Sequence, residues 1–144
     1  MSVTIRLLTP EDKAAWHRLW AAYIDFYQVQ LGREEAQILF ERLVTGKLHF
    51  AFVAELDGTI VGFVHGLPHA STWSLEGYCY LEDLFVDENA RGAGIGRALI
   101  HAVYEEADRR GLSRVYWHTD EGNATARSLY DTLATKSDFV QYRR

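Results

Sequence analysis

The stretch Tyr80-Leu-Glu-Asp-Leu-Phe-Val86-Asp-Glu-Asn-Ala90-Arg-Gly-Ala-Gly94-Ile-Gly96-Arg-Ala-Leu-Ile100 decides how the rest of the chain is read. It begins as an apolar strand, turns through Asp87 and Glu88, runs into a glycine-rich loop and enters a helix. Gly92, Gly94 and Gly96 alternate with Ala93 and Ile95 between Arg91 and Arg97. Glycine lets a backbone take positive φ and approach a ligand closely. A helix that starts there adds its N-terminal partial positive charge. The stretch therefore predicts a strand–loop–helix that cradles a phosphate.

Two common phosphate loops do not fit. A nucleoside-triphosphate loop needs Gly-Lys-Ser/Thr after its spacer, but Gly96 is followed by Arg97 and Ala98. A dinucleotide loop needs G-x-G-x-x-G. Counted from Gly92 the last position is Arg97, and counted from Gly94 it is Leu99. The strand itself carries a second signal, the adjacent acids Glu82 and Asp83. Carboxylates inside an apolar strand are costly unless they are paired or functional. Alternation would send the two to opposite faces, so they share a site only if a bulge re-aims one of them. The structural alternative is an ion pair with Arg91 or another base.

Outward from this stretch the chain reads as mixed α/β. Val3, Ile5 and Leu7 alternate as a strand. Thr9-Pro10-Glu11-Asp12 starts a helix, in which Trp16, Leu19, Trp20, Tyr23 and Tyr27 recur at helical spacing. The stripe reads as core, the alternative being that its far end, near Tyr23, Phe26 and Tyr27, lines a substrate cleft. After Gly32 a second helix runs from 33 to 44. Strands over 49–56 and 59–67 are joined by Asp57-Gly58, a strong hairpin signal. The segment 66–77 reads as a loop forming one wall of the site. His65 and His69 lie near it, but without a third ligand they predict no metal site. After the strand over 78–86 come a helix to Gly111, a strand over 114–119, a helix over 123–133 and a final strand over 138–143. The order is βααβββαβαβ, one α/β domain over residues 1–144, with helices on both faces of a mixed sheet. The strand–helix–strand unit from Tyr78 to Thr119 predicts a right-handed parallel crossover.

Composition narrows the partners. A net charge of -5 argues against a dedicated nucleic-acid binder. It is compatible with a cationic substrate. No apolar run is long enough to span a bilayer and no leader pattern is visible, so no membrane partner is expected. The single cysteine, Cys79, fits a reducing, cytoplasmic compartment. It has no evident helper to make it a nucleophile.

Arg91-Gly-Ala-Gly94-Ile-Gly96 matches [RQ]-x-x-G-x-[GA], and Asn123-Ala-Thr-Ala-Arg-Ser-Leu-Tyr130 matches N-x-x-A-x-x-[LF]-Y. Together with the element order, these resemble the GCN5-related N-acetyltransferase (GNAT) family. The resemblance implies acetyl-CoA as co-substrate. Its pyrophosphate would lie on the backbone from Arg91 and Gly92 through Ala93, Gly94, Ile95 and Gly96 to Arg97. Its pantetheine arm would lie along Leu84, Phe85 and Val86, with Asn123 further on. Tyr130 would sit at the thioester sulfur and protonate it. Locally, Tyr80-Leu-Glu-Asp83 resembles the strand of diamine (spermidine/spermine) acetyltransferases, which implies proton removal by Glu82 and amine binding by Asp83. Tyr27 would complete the substrate side.

Acetyl transfer to an amine supports these roles chemically, because it needs a neutral amine and a proton for the leaving sulfur. The expected function is acetylation of a primary amine on a small cationic substrate, a polyamine or an amino acid-like amine, by direct attack in a ternary complex. A lysine acetyltransferase acting on a basic protein such as a histone is an alternative, as is a non-catalytic coenzyme A sensor. The aromatic content and the family resemblance suggest a homodimer.

Overall fold

The computed structural model describes residues 2–144. Its order is β1 (Val3–Leu7), α1 (Lys13–Phe26), α2 (Arg33–Thr45), β2 (Phe50–Leu56), β3 (Thr59–Ser71), β4 (Ser74–Val86), α3 (Ile95–Arg110), β5 (Val115–Tyr116) and α4 (Ala124–Leu133). The strands form one sheet in the order β1-β2-β3-β4-β5. All neighbours are antiparallel except β4 and β5, the parallel ends of the crossover through α3.

Alternation along β2 divides the core into two. Phe50, Phe52 and Ala54 point to one face and pack with Leu99, Ile100 and Val103 of α3. Ala51 and Val53 point to the other and pack with Trp16, Leu19 and Trp20 of α1 and Phe40 of α2. Helices therefore cover both faces, as expected. Asp57 and Gly58 both take positive φ, 51° and 81°, as a two-residue hairpin turn with right-handed strand twist requires. The entry to α1 is locked by Asp12. This buried carboxylate takes both Arg6 guanidinium nitrogens at 2.8 and 2.9 Å and the Thr9 N–H at 2.9 Å. The Arg6 bond is the largest influence holding the Asp12 carboxyl below the usual carboxylate range.

Three expectations are corrected. The segment 66–77 is not a loop. β3 continues to Ser71 and β4 begins at Ser74, so the hairpin turns only at Thr72-Trp73. Gly77, at φ 94°, and the Ser74 hydroxyl accepting its N–H let β4 carry extra residues there. Pro68 and the polar residues that suggested a loop lie where the hairpin runs out past the helices, so they need no buried partners. Second, the strand expected over 114–119 pairs only at Val115 and Tyr116. Third, the final strand over 138–143 does not form. Phe139, Val140 and Tyr142 are exposed and the observed order ends at α4. An alternating pattern needs a neighbouring strand to pair with, and this segment has none within the chain.

Candidate active site

The acids Glu82 and Asp83 are brought together by a bulge in β4. His65 pairs with Asp83 while Gly66 pairs with Leu81, so Glu82 is the extra residue. Before it, Cys79 and Leu81 point into the α3-side core. After it, Leu84 and Val86 do so. The extra residue thus swings Asp83 out of that core and onto the α1 face, where strict alternation would not place it.

There Asp83 meets two donors. Tyr23 O–H donates to Oδ1 at 2.8 Å, and His65 Nδ1 lies 2.9 Å from Oδ2. Glu82 stays exposed beside it. Partial burial, then the charge of Asp83, holds the Glu82 carboxyl above the usual carboxylate range. Tyr27 projects from the C-terminal end of α1, half exposed. Burial, then Asp120 and Asp83, raises its hydroxyl. Arg91 is not the acids' counter-ion. Its Nε donates to the Val86 carbonyl at 3.1 Å and its guanidinium lies 5.9 Å from the centre of the Phe85 ring.

The glycine loop follows β4 directly. Gly92 and Gly94 take φ 87° and 76°, which side chains resist, and no atom lies within 4 Å of where a Cβ would stand at either. Gly94 caps α3, and the first intrahelical bond there is Ala98 N–H to the Gly94 carbonyl at 3.1 Å. The N–H groups of Ile95, Gly96 and Arg97 therefore point out of the helix end. Open space before positive-φ glycines and free helix amides fit a pyrophosphate. Ile95 itself is buried, anchoring the loop to the core, and Ala93 is exposed at its rim. Arg97 reaches across to the Thr132 hydroxyl at 3.0 Å and ties α3 to α4.

The parallel ladder between β4 and β5 ends at Tyr80 and Tyr116. Leu84, Phe85 and Val86 therefore run on beyond the β4–β5 ladder. α4 packs beside the loop, Leu129 lying 3.6 Å from where a Gly96 Cβ would stand. Its Tyr130 is half-buried against Trp117, ring centres 5.4 Å apart. Burial, with Tyr27 as a lesser influence, raises its hydroxyl and keeps the proton in place. Asn123 caps α4, its Oδ1 accepting the Ala126 N–H at 3.3 Å while Nδ2 faces the Thr119 hydroxyl at 3.4 Å.

Tyr27 thus lies near both Asp83 and Tyr130. Tyr23 and His65 hold Asp83 from beneath, and Trp16 holds His65. Sequence reasoning set Tyr23 near a cleft without giving it a partner, and missed Trp16 in an ordinary apolar stripe and His65 near the end of a strand. Among the described residues no cluster of three or more His, Cys, Asp or Glu is placed to hold a metal ion.

Known proteins agree with this geometry. A model of the acetyltransferase (GNAT) family matches residues 16–134. The chain is 39% identical over 145 residues to the D-amino-acid N-acetyltransferase HPA3 of Saccharomyces cerevisiae, covering 99% of this chain and 90% of that one. It is 30% identical over 142 residues to the uncharacterized N-acetyltransferase YhfO of Bacillus subtilis, covering 97% and 95%. In fold it resembles an aminoglycoside N-acetyltransferase solved with CoA, at a TM-score of 0.83, 18% identity and coverage of 99% and 95%. The matches span nearly the whole chain, and this protein belongs to the GNAT family of acetyl-CoA-dependent N-acetyltransferases.

Proposed function

We propose that the protein acetylates the primary amine of a small, cationic or zwitterionic substrate, an amino acid-like amine ahead of a polyamine. The observation that carries this reading is the β4 bulge, which turns Asp83 to the α1 face near Tyr27 with Glu82 exposed beside it. Two carboxylates without a lysine or arginine between them suit an ammonium group. The likeness to a D-amino-acid N-acetyltransferase favours the amino acid-like class.

Acetyl-CoA, when bound, supplies an activated acetyl group on a thioester. Backbone amides of Gly92 to Arg97 would hold its pyrophosphate, and Leu84, Phe85 and Val86 would line its arm, with Asn123 beyond. The Val86 carbonyl is already taken by Arg91, so its share there falls to other backbone groups. On the acceptor side, Asp83 binds the ammonium and Glu82, raised above its ordinary range by burial and by Asp83, takes the proton. Tyr130, its hydroxyl kept protonated by burial, gives a proton to the leaving sulfur. Tyr27 closes the acceptor side. The free, buried Cys79 suits a cytoplasmic setting. No described helix is long and apolar enough to cross a membrane. The exposed Phe139, Val140 and Tyr142 suit a homodimer contact.

A thiol-release assay over D- and L-amino acids, polyamines, aminoglycosides and basic peptides tests the substrate class. Turnover confined to basic peptides would overturn it in favour of protein lysines. Coenzyme A binding without turnover on any amine would favour a sensor. In the same assay Tyr130→Phe should lower kcat by about a hundredfold, the lower end of what general acid catalysis supplies. Its affinity for coenzyme A, read by calorimetry, should change little.

A further inference from the structure

His65 is 1% exposed, stacked on Phe63 at 4.6 Å between ring centres and enclosed by Trp16 and Trp20. Its two nitrogens face different partners. Trp16 Nε1 donates to Nε2 at 3.1 Å, and Asp83 Oδ2 lies 2.9 Å from Nδ1. An indole N–H can only donate. Nε2 must therefore offer its lone pair, the ring proton sits on Nδ1, and Nδ1–H donates to Asp83. Tyr23 O–H serves the other carboxylate oxygen at 2.8 Å. Both carboxylate oxygens are oriented, and both donors are neutral groups.

We propose that Trp16 and His65 form a positioning relay that aims the Asp83 carboxylate at the acceptor amine without cancelling its charge. The proposal rests on the reading of Asp83 as the amine's anchor. A histidine beside an aspartate commonly takes a second proton and pairs with it. Here that proton would stand on Nε2, facing the Trp16 N–H in a site closed to water, two donors with no acceptor between them. The carboxylate thus keeps the ring proton on Nδ1, the indole keeps a second proton off Nε2, and the negative charge is left for the substrate's ammonium. A fixed positive partner would compete with that ammonium. Tyr23, Tyr27, Tyr80 and Glu82 also lie around the carboxylate and supply no cation. The basic groups nearby, His49 and Arg143, act on Glu82 and on Tyr80.

The relay has a readout independent of turnover. Nitrogen NMR of the full chain labelled in histidine should show His65, identified as the signal missing from His65→Gln, with its proton on Nδ1. In Trp16→Phe the proton on Nδ1 should stay, held by the carboxylate, while Nε2 loses the donor facing it and should take up a second proton. In kinetics, His65→Leu should lower kcat/KM for the amine about tenfold or more, the cost of losing a hydrogen bond to a charged group. The KM for acetyl-CoA should stay where it was. His65→Gln offers an acceptor to Trp16 and a donor to Asp83 and should recover most of the loss, which a purely space-filling role does not explain. A proton on Nε2 or a doubly protonated ring in the wild type would overturn the proposal. So would a His65→Gln enzyme as impaired as His65→Leu. If the wild type acetylates no amine, the functional reading fails, while the NMR spectrum still decides the tautomer.

Discussion

At the scale of single residues, two neighbouring carboxylates have different surroundings. Asp83 accepts two hydrogen bonds from inside the fold, whereas Glu82 is exposed and feels burial and its neighbour's charge. Environments that differ in this way divide acid–base labour between like groups. The same asymmetry has a stability consequence. Glu82 binds its proton more tightly folded than unfolded, so its contribution to stability is fully present below the unfolded value of 4.5 and is lost as pH rises through the folded value. At neutral pH it is a burden on the fold. Glu82→Gln should therefore raise the melting temperature at pH 7, with the advantage fading below about pH 4.5 as both forms become neutral. The same variant should lose about a hundredfold in kcat/KM, as expected on removal of a general base. A melting curve and a rate measured at both pH values check the pair of outcomes together.

At the scale of elements, one strand and the helix after it carry most of the cofactor side. β4 runs as part of a regular antiparallel pair, slips by one residue at Glu82, and loses its β5 neighbour beyond Tyr80. The slip aims the acids, and the lost neighbour leaves backbone and space for an extended ligand. The loop then turns through Gly92 and Gly94 at positive φ onto the amide end of α3. Gly94→Trp should abolish coenzyme A binding in calorimetry, because it forces a bulky side chain into a left-handed position and into the open mouth of the loop. The circular dichroism of the fold should persist, since nothing lies within 4 Å of that position for the side chain to displace. Wild-type-like binding in this variant would remove the loop from the cofactor's path.

At the scale of the whole molecule, α1 and α2 cover one face of the sheet and α3 the other, and the segment after α4 joins neither core cluster. Phe139, Val140 and Tyr142 stand in water at 87%, 76% and 92% exposure, an arrangement a lone chain gains little from. If they meet a second copy, replacing Phe139 and Tyr142 together by Ser should shift the sedimentation coefficient from dimer to monomer, while a wild type that already sediments as a monomer would refute the contact. The limits of sequence reading follow the same boundary between local and non-local causes. The glycine loop, the Asp57-Gly58 turn, the two periodic helices at the N-terminus and the Asn123–Tyr130 helix were legible because their determinants lie within a few residues of chain. The strand reach of 66–77 and the failure of 138–143 to pair were not, because whether extended backbone becomes a strand depends on what stands beside it. The acids were legible as an anomaly and their need of a bulge as a condition. The bulge itself, and the enclosure of His65 between Trp16 and Asp83, exist only once β3, β4 and α1 are packed together. Sequence by itself thus determined the fold class and the family, and named the residues proposed for the site. Tertiary structure alone decided which face Asp83 occupies and what holds it there, since register and burial are properties of neighbours that the chain meets only on folding.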